Sequence, residues 1–203
     1  MNILAFGAHP DDLEPQIGGT IAKLISGGAT ATMVTCTTTA TGASSPMVRD
    51  AEGHRSAAAL GANFISMAIP ESEFSASRDI IHEVEQVINV HKPNIVFAVS
   101  EHDSHQDHQT VSHILKIASR KNSFSLVSLG QVYPGGIGNH QYNYFSDISD
   151  FIEIKKKSLL EYESQINKYG EEWLEAIIAR DKSWGFNIGT AFAEAAFINK
   201  WIS

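Results

Sequence analysis

The sequence predicts an α/β protein built on a mostly parallel sheet. Short apolar runs alternate with segments of helical periodicity from residue 3 to residue 133, a rhythm typical of βαβ units. With 203 residues, the chain can bury a substantial core and still form one domain, which we predict over residues 1–203. Apolar residues make up 43% and charged residues 19%, the balance of an ordinary globular protein.

The strands of this alternation are predicted at residues 3–8, 31–36, 64–69, 95–99 and 125–133. The helices between them are predicted at residues 18–27, 47–60, 77–91 and 109–119. Gly27 and Gly61 stand where the first two helices stop, and Pro93 follows the third, as the usual helix stop signals require.

The C-terminal third has longer helical periodicity. Asp150 and Glu153 can form a capping box for a long helix. One face of that helix would be apolar (Ile152, Leu159, Tyr162, Ile166, Tyr169). A second helix is predicted at residues 171–180 and a last packed element at residues 191–201. We therefore expect a Rossmann-like domain with helices on both faces of the sheet and a helical C-terminal portion. Its ligands should bind at the carboxyl ends of the strands.

Charge and composition exclude several classes of function. The 15 basic and 23 acidic side chains give a formal charge of −8, which disfavours a nucleic-acid partner. No apolar run approaches the roughly 18 residues of a membrane span, and the first residues lack the basic start of a signal peptide. Cys36 is the single cysteine, so an intrachain disulfide is impossible. We predict a cytoplasmic protein, and self-association is left open.

The first strand runs directly into a charged motif, residues 8–14 (Ala-His-Pro-Asp-Asp-Leu-Glu). Pro10 lacks an N–H and has a fixed φ, so the chain must leave the sheet at this point. Asp11 and Asp12 are costly to ionise side by side unless a cation lies next to them. The structural alternative is a turn in which one of these two carboxylates caps the next helix.

The fourth strand ends in a second polar motif, which contains His102, His105 and His108. His105 and His108 are three residues apart, a spacing that can direct both rings into one pocket. The alternative is a polar loop whose Asp107 caps a helix starting near Gln109. In a parallel sheet the first and fourth strands can be neighbours, and two such motifs at one edge favour a functional site over two unrelated turns.

The ligand types predict the metal. Two imidazoles and a carboxylate suit zinc, iron or manganese better than magnesium or calcium, which prefer all-oxygen shells. Three protein ligands with a position left for water are typical of catalytic zinc, whereas structural zinc sites are usually closed by cysteines. With one cysteine in the chain, we predict one catalytic zinc ion per chain, with Fe²⁺ or Mn²⁺ as alternatives.

Taken together, residues 8–14 and 105–108 resemble the signature of the PIG-L/LmbE-like family of zinc-dependent N-deacetylases. The resemblance spans nearly the whole chain. Its weaker pieces are Gly18-Gly19-Thr20, Arg49 with Glu52, Leu60-Gly61, residues 155–165 and residues 193–197.

The resemblance implies a role for each matching residue. His9, Asp12 and His108 would be the metal ligands. Asp11 would be the general base, and successive side chains on an extended segment would point it away from Asp12. His105, as an imidazolium, would stabilise the oxyanion of the tetrahedral intermediate. Arg49 would bind the substrate; its alternative is a surface charge on a helix.

Several residues carry weaker predictions. Glu14 either supports the metal shell or stabilises the start of the first helix. Asp107 is expected mainly to cap the helix that follows it, with orientation of a catalytic group as the alternative. His102 and Asp103 are expected at solvated loop positions, with the rim of the pocket as the alternative. Residues 135–140 would form either a lid or a glycine-rich turn.

The leading functional hypothesis is removal of an acetyl group from a small N-acetylated amino sugar or a conjugate of one. A second keeps the metal but changes the acyl group or the amine. A third, a nucleotide-binding module, requires a glycine-rich G-x-G-x-x-G turn after the first strand. The acidic motif occupies that place and would repel a pyrophosphate, so this hypothesis is rejected.

Overall fold

The computed structural model describes residues 1–38, 43–130 and 142–202, and of Thr38 it describes only the backbone. The strands are β1 Asn2–Gly7, β2 Thr30–Thr38, β3 Asn63–Pro70, β4 Ile95–Ala98, β5 Ser125–Leu129, β6 Tyr144–Asp147 and β7 Ala193–Lys200. Within the described residues they form one seven-stranded sheet in the order β3-β2-β1-β4-β5-β7-β6. The helices are α1 Glu14–Ser26, α2 Pro46–Leu60, α3 Arg78–His91, α4 Gln106–Ala118, α5 Ile152–Leu160, α6 Glu163–Tyr169 and α7 Glu172–Ile188.

The predicted fold class is confirmed. Strands β1 to β5 are parallel, and β1 lies between β2 and β4. The strand order reverses on either side of β1, so the switch point lies at its carboxyl end. Strand β7 is antiparallel to both β5 and β6, which completes the sheet. The predicted extension of the fifth strand to residue 133 falls partly outside the described residues.

Alternating side chains on β1 divide the core between the two faces of the sheet. Leu4 and Phe6 pack with apolar residues of α3 and α4, whereas Ile3 and Ala5 pack with those of α1 and α2. Helix α5 packs across α1 and α2 as an outer layer. The layers therefore leave the carboxyl ends of the parallel strands free to carry a site.

The predicted long helix from residue 152 to residue 169 is wrong. Helix α5 ends at Leu160 and α6 begins at Glu163. Tyr162 lies in the break, fully buried, and its hydroxyl donates to Glu14 Oε1 at 2.6 Å. The predicted capping box is also absent, because Phe151 precedes α5 and no side chain caps it. A tertiary contact has overridden the local helical periodicity.

The boundaries of several other helices differ from the predicted ones. Helix α4 begins at Gln106 and not near Gln109, because His105 caps it by accepting a hydrogen bond from the Asp107 N–H. Helix α1 begins at Glu14, four residues before the predicted start, and α7 is longer than predicted. Strand β6 was not predicted. Within the described ranges, no helix combines the length and apolar character that crossing a membrane requires.

Candidate active site

The two charged motifs meet at one edge of the sheet, as predicted. Strands β1 and β4 are neighbours, with Phe6 opposite Ala98, and each ends immediately before its motif. The ring centroids of His9 and His108 lie 5.7 Å apart. The sequence motifs therefore form a single site at the carboxyl ends of the strands.

Asp12 closes the loop that follows β1. Its Oδ2 accepts hydrogen bonds from the backbone N–H groups of Ala8 and His9, at 2.8 and 2.7 Å. Helix α1 is preceded by Leu13 and has no side-chain cap, so the alternative of a helix-capping aspartate is wrong. Asp12 instead folds the loop back onto the end of the strand.

Asp11 and Asp12 are separated by an unusual backbone conformation and not by strand alternation. Asp11 has a φ of +91°, a region that residues with a Cβ rarely adopt. Such strained residues concentrate at functional sites, where the surrounding structure has to hold them in place. The expectation that an extended segment separates these carboxylates is therefore wrong, although they do differ in their contacts.

His9 directs its two ring nitrogens to different carboxylates. Its Nε2 donates to Asp107 Oδ2 at 3.1 Å, and its Nδ1 lies 3.6 Å from Asp12 Oδ2. Burial disfavours the charged ring, but Asp107 and Asp12 outweigh burial and raise the pKa of His9 to about 10. Asp107 thus orients His9, and it does not cap α4 as predicted.

His108 repeats this arrangement on the other side of Asp12. Its Nε2 lies 3.1 Å from Asp12 Oδ1, and its Nδ1 lies 2.9 Å from Asp103 Oδ2. Burial again disfavours the charged ring, yet Asp12 and Asp103 raise the pKa of His108 to about 10. Asp103 is buried, so its predicted place at a solvated loop position is wrong.

The contacts around Asp12 fit a metal ion. Both ring nitrogens of the buried His108 lack hydrogen-bond geometry to the carboxylates beside them. A cation beside His108 Nε2, Asp12 and His9 Nδ1 would satisfy the inner nitrogen of His108. The outer nitrogen of His108 lies 2.9 Å from the Asp103 carboxylate, and Asp107 accepts a hydrogen bond from the outer nitrogen of His9. Nitrogen atoms of His9, His105 and His108 lie within 4.8 Å of one another, so His105 is an alternative third ligand to Asp12.

Arg49 contacts the other aspartate. One of its terminal nitrogens lies 2.8 Å from Asp11 Oδ1 and also donates to the carbonyl of Pro10. Arg49 is 2% exposed, so the alternative of a surface helix charge is wrong. Burial raises the pKa of Asp11 to about 7, although the charge of Arg49 opposes the shift. Asp11 is therefore held in place and has a pKa close to neutral pH.

His105 is half exposed and lies beside both other histidines. Its Nδ1 accepts from the Asp107 N–H at 3.2 Å, which leaves Nε2 to carry the proton of a neutral ring. Burial and the neighbouring His108 and His9 lower the pKa of His105. In the metal-free protein these contributions favour the neutral ring over the predicted imidazolium.

A cavity of about 240 Å³ joins these groups to solvent. Its lining includes all the predicted site residues and four more, Glu71, Gln165, Lys168 and Tyr169. Glu71 directly follows β3. Lys168 and Tyr169 were missed because the periodicity placed Tyr169 on the apolar face of a long helix. The break before α6 carries both residues to the rim of the cavity.

Two remaining predictions have separate outcomes. Glu14 begins α1 and its Oε1 accepts from Ser56 Oγ at 2.8 Å and from the hydroxyl of Tyr162, so it anchors the helix start. Burial raises its pKa. The proposed lid at residues 135–140 lies outside the described residues.

The matched part of the chain identifies its family. A sequence profile described as PIG-L, GlcNAc-PI de-N-acetylase, matches residues 4–119, more than half of the chain. This chain belongs to the PIG-L family. The matched segment of this PIG-L protein includes both charged motifs and Arg49, whereas Gln165, Lys168 and Tyr169 lie beyond it.

Proteins similar to this PIG-L protein include enzymes whose names describe different reactions. A diacetylchitobiose deacetylase of Thermococcus kodakarensis is 27% identical, covering 80% of this chain and 69% of that protein. The N,N'-diacetylchitobiose deacetylase of Pyrococcus horikoshii has a TM-score of 0.85 and 22% identity, covering 98% and 84% of the two chains. The 4-carboxy-2-hydroxymuconate hydratase GalB of Pseudomonas putida KT2440 reaches 0.84 at 18% identity, covering 100% and 97%. The fold alone therefore does not decide the chemistry.

Proposed function

We propose that this PIG-L protein is a zinc-dependent hydrolase that removes an N-acetyl group from an amino sugar or an amino-sugar conjugate. The observation that carries the proposal is the place of Asp11. It lies in the same cavity as the metal-type cluster of His9, Asp12 and His108, with a pKa of about 7. A carboxylate of that pKa suits a general base at neutral pH, since catalytic groups work best near the operating pH.

His9 Nδ1, Asp12 and His108 Nε2 would hold the metal, one ion per chain. When bound, zinc supplies a Lewis acid and a water molecule whose pKa falls to about 7. The carboxylates of Asp107 and Asp103 would keep the outer ring nitrogens of His9 and His108 protonated, so that the inner nitrogens face the ion. Fe²⁺ or Mn²⁺ would suit the same donors.

Asp11 would accept a proton from the attacking water as the water oxygen forms a bond to the carbonyl carbon of the acetyl group. The same proton would pass to the nitrogen as the C–N bond breaks, releasing the free amine and acetic acid, which ionises to acetate at neutral pH. Arg49 would hold the Asp11 carboxylate during both transfers, a positioning role in addition to the predicted contact with substrate.

His105 would donate from Nε2 to the carbonyl oxygen as negative charge develops there. One such donor is typically worth about 2.7–4 kcal/mol of barrier. The hydrogen bond from the Asp107 N–H to Nδ1 would fix this tautomer. A neutral ring can therefore perform the oxyanion role without the predicted imidazolium.

The relatives with deacetylase names and the size of the cavity support an amino-sugar substrate. Its 240 Å³ lies below the roughly 300–1,000 Å³ of pockets for drug-sized ligands, which favours one sugar unit inside and any conjugate outside. Glu71, Lys168 and Tyr169 at the rim would contact the part that projects.

The test is acetate and amine release by the zinc-loaded protein. N-acetylglucosamine, N,N'-diacetylchitobiose and N-acetylglucosamine glycosides would be supplied in parallel, and equal amounts of both products are expected. Chelator-treated protein and His108→Ala are the controls and should be inactive. Release of another acyl group from a non-sugar amide, with none of these sugars cleaved, would favour the second hypothesis. Water addition to an unsaturated acid without amide cleavage would contradict the proposal.

A further inference from the structure

Helix α1 is broken one turn after the loop that carries Asp11 and Asp12. Ile17 has φ −139° and ψ 15°, outside the helical region, within an element that otherwise runs from Glu14 to Ser26. The turn before the break is closed separately by hydrogen bonds from the N–H groups of Gln16 and Ile17 to the Leu13 carbonyl. The first turn therefore continues the loop of Asp11 and Asp12.

A buried ion pair occupies the gap in the helix. In a regular helix, the N–H of Gly19 would donate to the carbonyl of Pro15. Here Gly19 N–H donates to Glu194 Oε1 at 2.9 Å, and Lys155 Nζ donates to the Pro15 carbonyl at 2.7 Å. Lys155 Nζ and Glu194 Oε1 are 2.7 Å apart. The pair therefore bridges the two backbone groups that the break separates, an inserted side-chain contact of the kind that kinks helices.

Further contacts strengthen the bridge. Glu194 Oε2 accepts from the Thr20 N–H at 2.7 Å, and Arg180 donates to the Pro15 carbonyl. Lys155 also contacts Asp181 Oδ2 at 2.5 Å, and Asp181 contacts Arg180. The positive charges of Lys155 and Arg180 thus balance the negative charges of Asp181 and Glu194.

Burial of this cluster costs free energy, because its charged groups lose their contact with water. Lys155 and Asp181 have no exposed surface and Glu194 has 2%. A buried ion pair often adds no net stability over apolar residues of similar volume, so its best-supported use is to select one arrangement. The arrangement selected here is the broken helix, and the side chains come from residues 155–194, beyond the matched residues 4–119.

We infer that Lys155 and Glu194 are positioning residues for the metal site. They hold the first turn of α1 at an angle to the rest of the helix, while Ser56 and Tyr162 hold Glu14 from the other side. The turn so fixed directly follows Asp11 and Asp12 in the chain. This inference rests on the proposed function, because it assigns the bridge to a metal site with a general base.

The test compares Glu194→Gln with Asp181→Asn in the full chain. Each substitution removes one carboxylate from Lys155 in the same buried cluster, but only Glu194 contacts the backbone of α1. Zinc affinity would be measured by competition with a chromophoric chelator. Coordination geometry would be measured by the visible absorption of the Co²⁺-loaded protein, and melting temperature separately.

Glu194→Gln is expected to lower zinc affinity about tenfold, the low end of the range for residues beyond the ligands, and to change the Co²⁺ spectrum. Its kcat should fall more than its KM rises. Asp181→Asn is expected to lower the melting temperature while zinc affinity and the Co²⁺ spectrum stay as in the wild type. Unchanged affinity and spectrum in Glu194→Gln, or equal changes in both variants, would overturn the inference.

A second variant covers failure of Glu194→Gln to fold. Lys155→Met with Glu194→Gln leaves Arg180 and Asp181 paired and no buried charge alone, and it should show the same loss of zinc affinity. The two proposals also fail differently. Wild-type protein that binds zinc but cleaves no amide would refute the proposed function, whereas the comparison of the variants would still decide the role of the bridge.

Discussion

At the residue scale, the pKa values of two adjacent aspartates are shifted in opposite directions. Burial would raise the pKa of Asp12, but His108 and His9 outweigh it and hold that pKa well below its usual range. Burial of Asp11 prevails over the charge of Arg49 and raises its pKa to about 7. Environments that separate the pKa values of neighbouring carboxyls are a physical guide to their roles. Asp12 is suited to bind a cation and Asp11 to carry a proton.

Replacing each aspartate by asparagine separates these roles. Asp11→Asn keeps the shape and removes the proton acceptor, so zinc should stay bound while turnover falls at least about 10²-fold. Asp12→Asn removes a charged ligand, so metal content should fall first and added zinc should restore part of the activity. Metal content and acetate release, with and without added zinc, give the answer. Zinc rescue of Asp11→Asn alone would mean that the roles are exchanged.

The raised pKa values of His9 and His108 predict that zinc binding releases protons. With both pKa values at about 10, both rings are protonated at pH 7 in the metal-free protein, and a ligand must be neutral. Up to two protons should be released per zinc at pH 7, and affinity should increase with pH up to about 10. Calorimetry in two buffers of different ionisation enthalpy measures this number.

The control for proton release is His54→Ala, which removes an exposed histidine outside the site and should leave the number unchanged. Binding heats that do not depend on the buffer would contradict the prediction. They would mean that both rings are already neutral before the metal binds.

At the scale of elements, α7 lies unusually close to the chain that enters β7. A Cβ on Gly185 would lie 2.7 Å from backbone atoms of Ala191 and Phe192, closer than real Cβ contacts. The backbone cannot rotate away as a side chain could. Gly185 is therefore required by packing, although glycine is intrinsically unfavourable in a helix.

Gly185→Ala should destabilise the protein by about 1–3 kcal/mol, the usual cost of overpacking, despite the better helix propensity of alanine. Ser183→Ala, at an exposed position of the same helix, should be neutral or slightly stabilising. Urea unfolding of both variants measures the difference. A Gly185→Ala protein as stable as the wild type would mean that α7 and β7 can move apart without cost.

At the scale of the whole molecule, the metal links the two halves of the site. Its proposed ligands follow β1 and β4, which are distant in sequence, so an ion bound by both stabilises only the folded chain. Any ligand that binds only the folded state increases the free energy of unfolding by about 2.7 kcal/mol at a concentration one hundred times its Kd. The energy of zinc binding should therefore appear as thermal stability.

Zinc at one hundred times its Kd should raise the melting temperature by roughly 5–10 °C, since about 1 kcal/mol corresponds to 2–4 °C in a chain of this size. Chelator should reverse the shift. His108→Ala, which lacks a proposed ligand, should melt at the same temperature with and without zinc. An equal shift in wild type and His108→Ala would place the stabilising ion elsewhere.

The parallel part of the fold and the meeting of the two motifs could be predicted from the amino-acid sequence alone. Strand and helix periods depend on neighbouring residues, and the apolar runs before His9 and before Glu101 are unambiguous. The rule that ligands bind where parallel strands end then placed both motifs at one edge, which the pairing of β1 with β4 confirms. The individual roles of the site residues stay predictions.

Contacts made across long sequence separations could not be predicted, because they depend on how the whole chain folds. Tyr162 interrupts a periodic helix because its hydroxyl reaches Glu14, 148 residues away. Lys155 and Glu194 bind the two backbone groups that the break in α1 leaves free, from 140 and 175 residues away. Asp103 is buried because His108 faces it. In each case a buried polar group must find a partner, and the energy of leaving it unpaired exceeds the preferences of the local sequence.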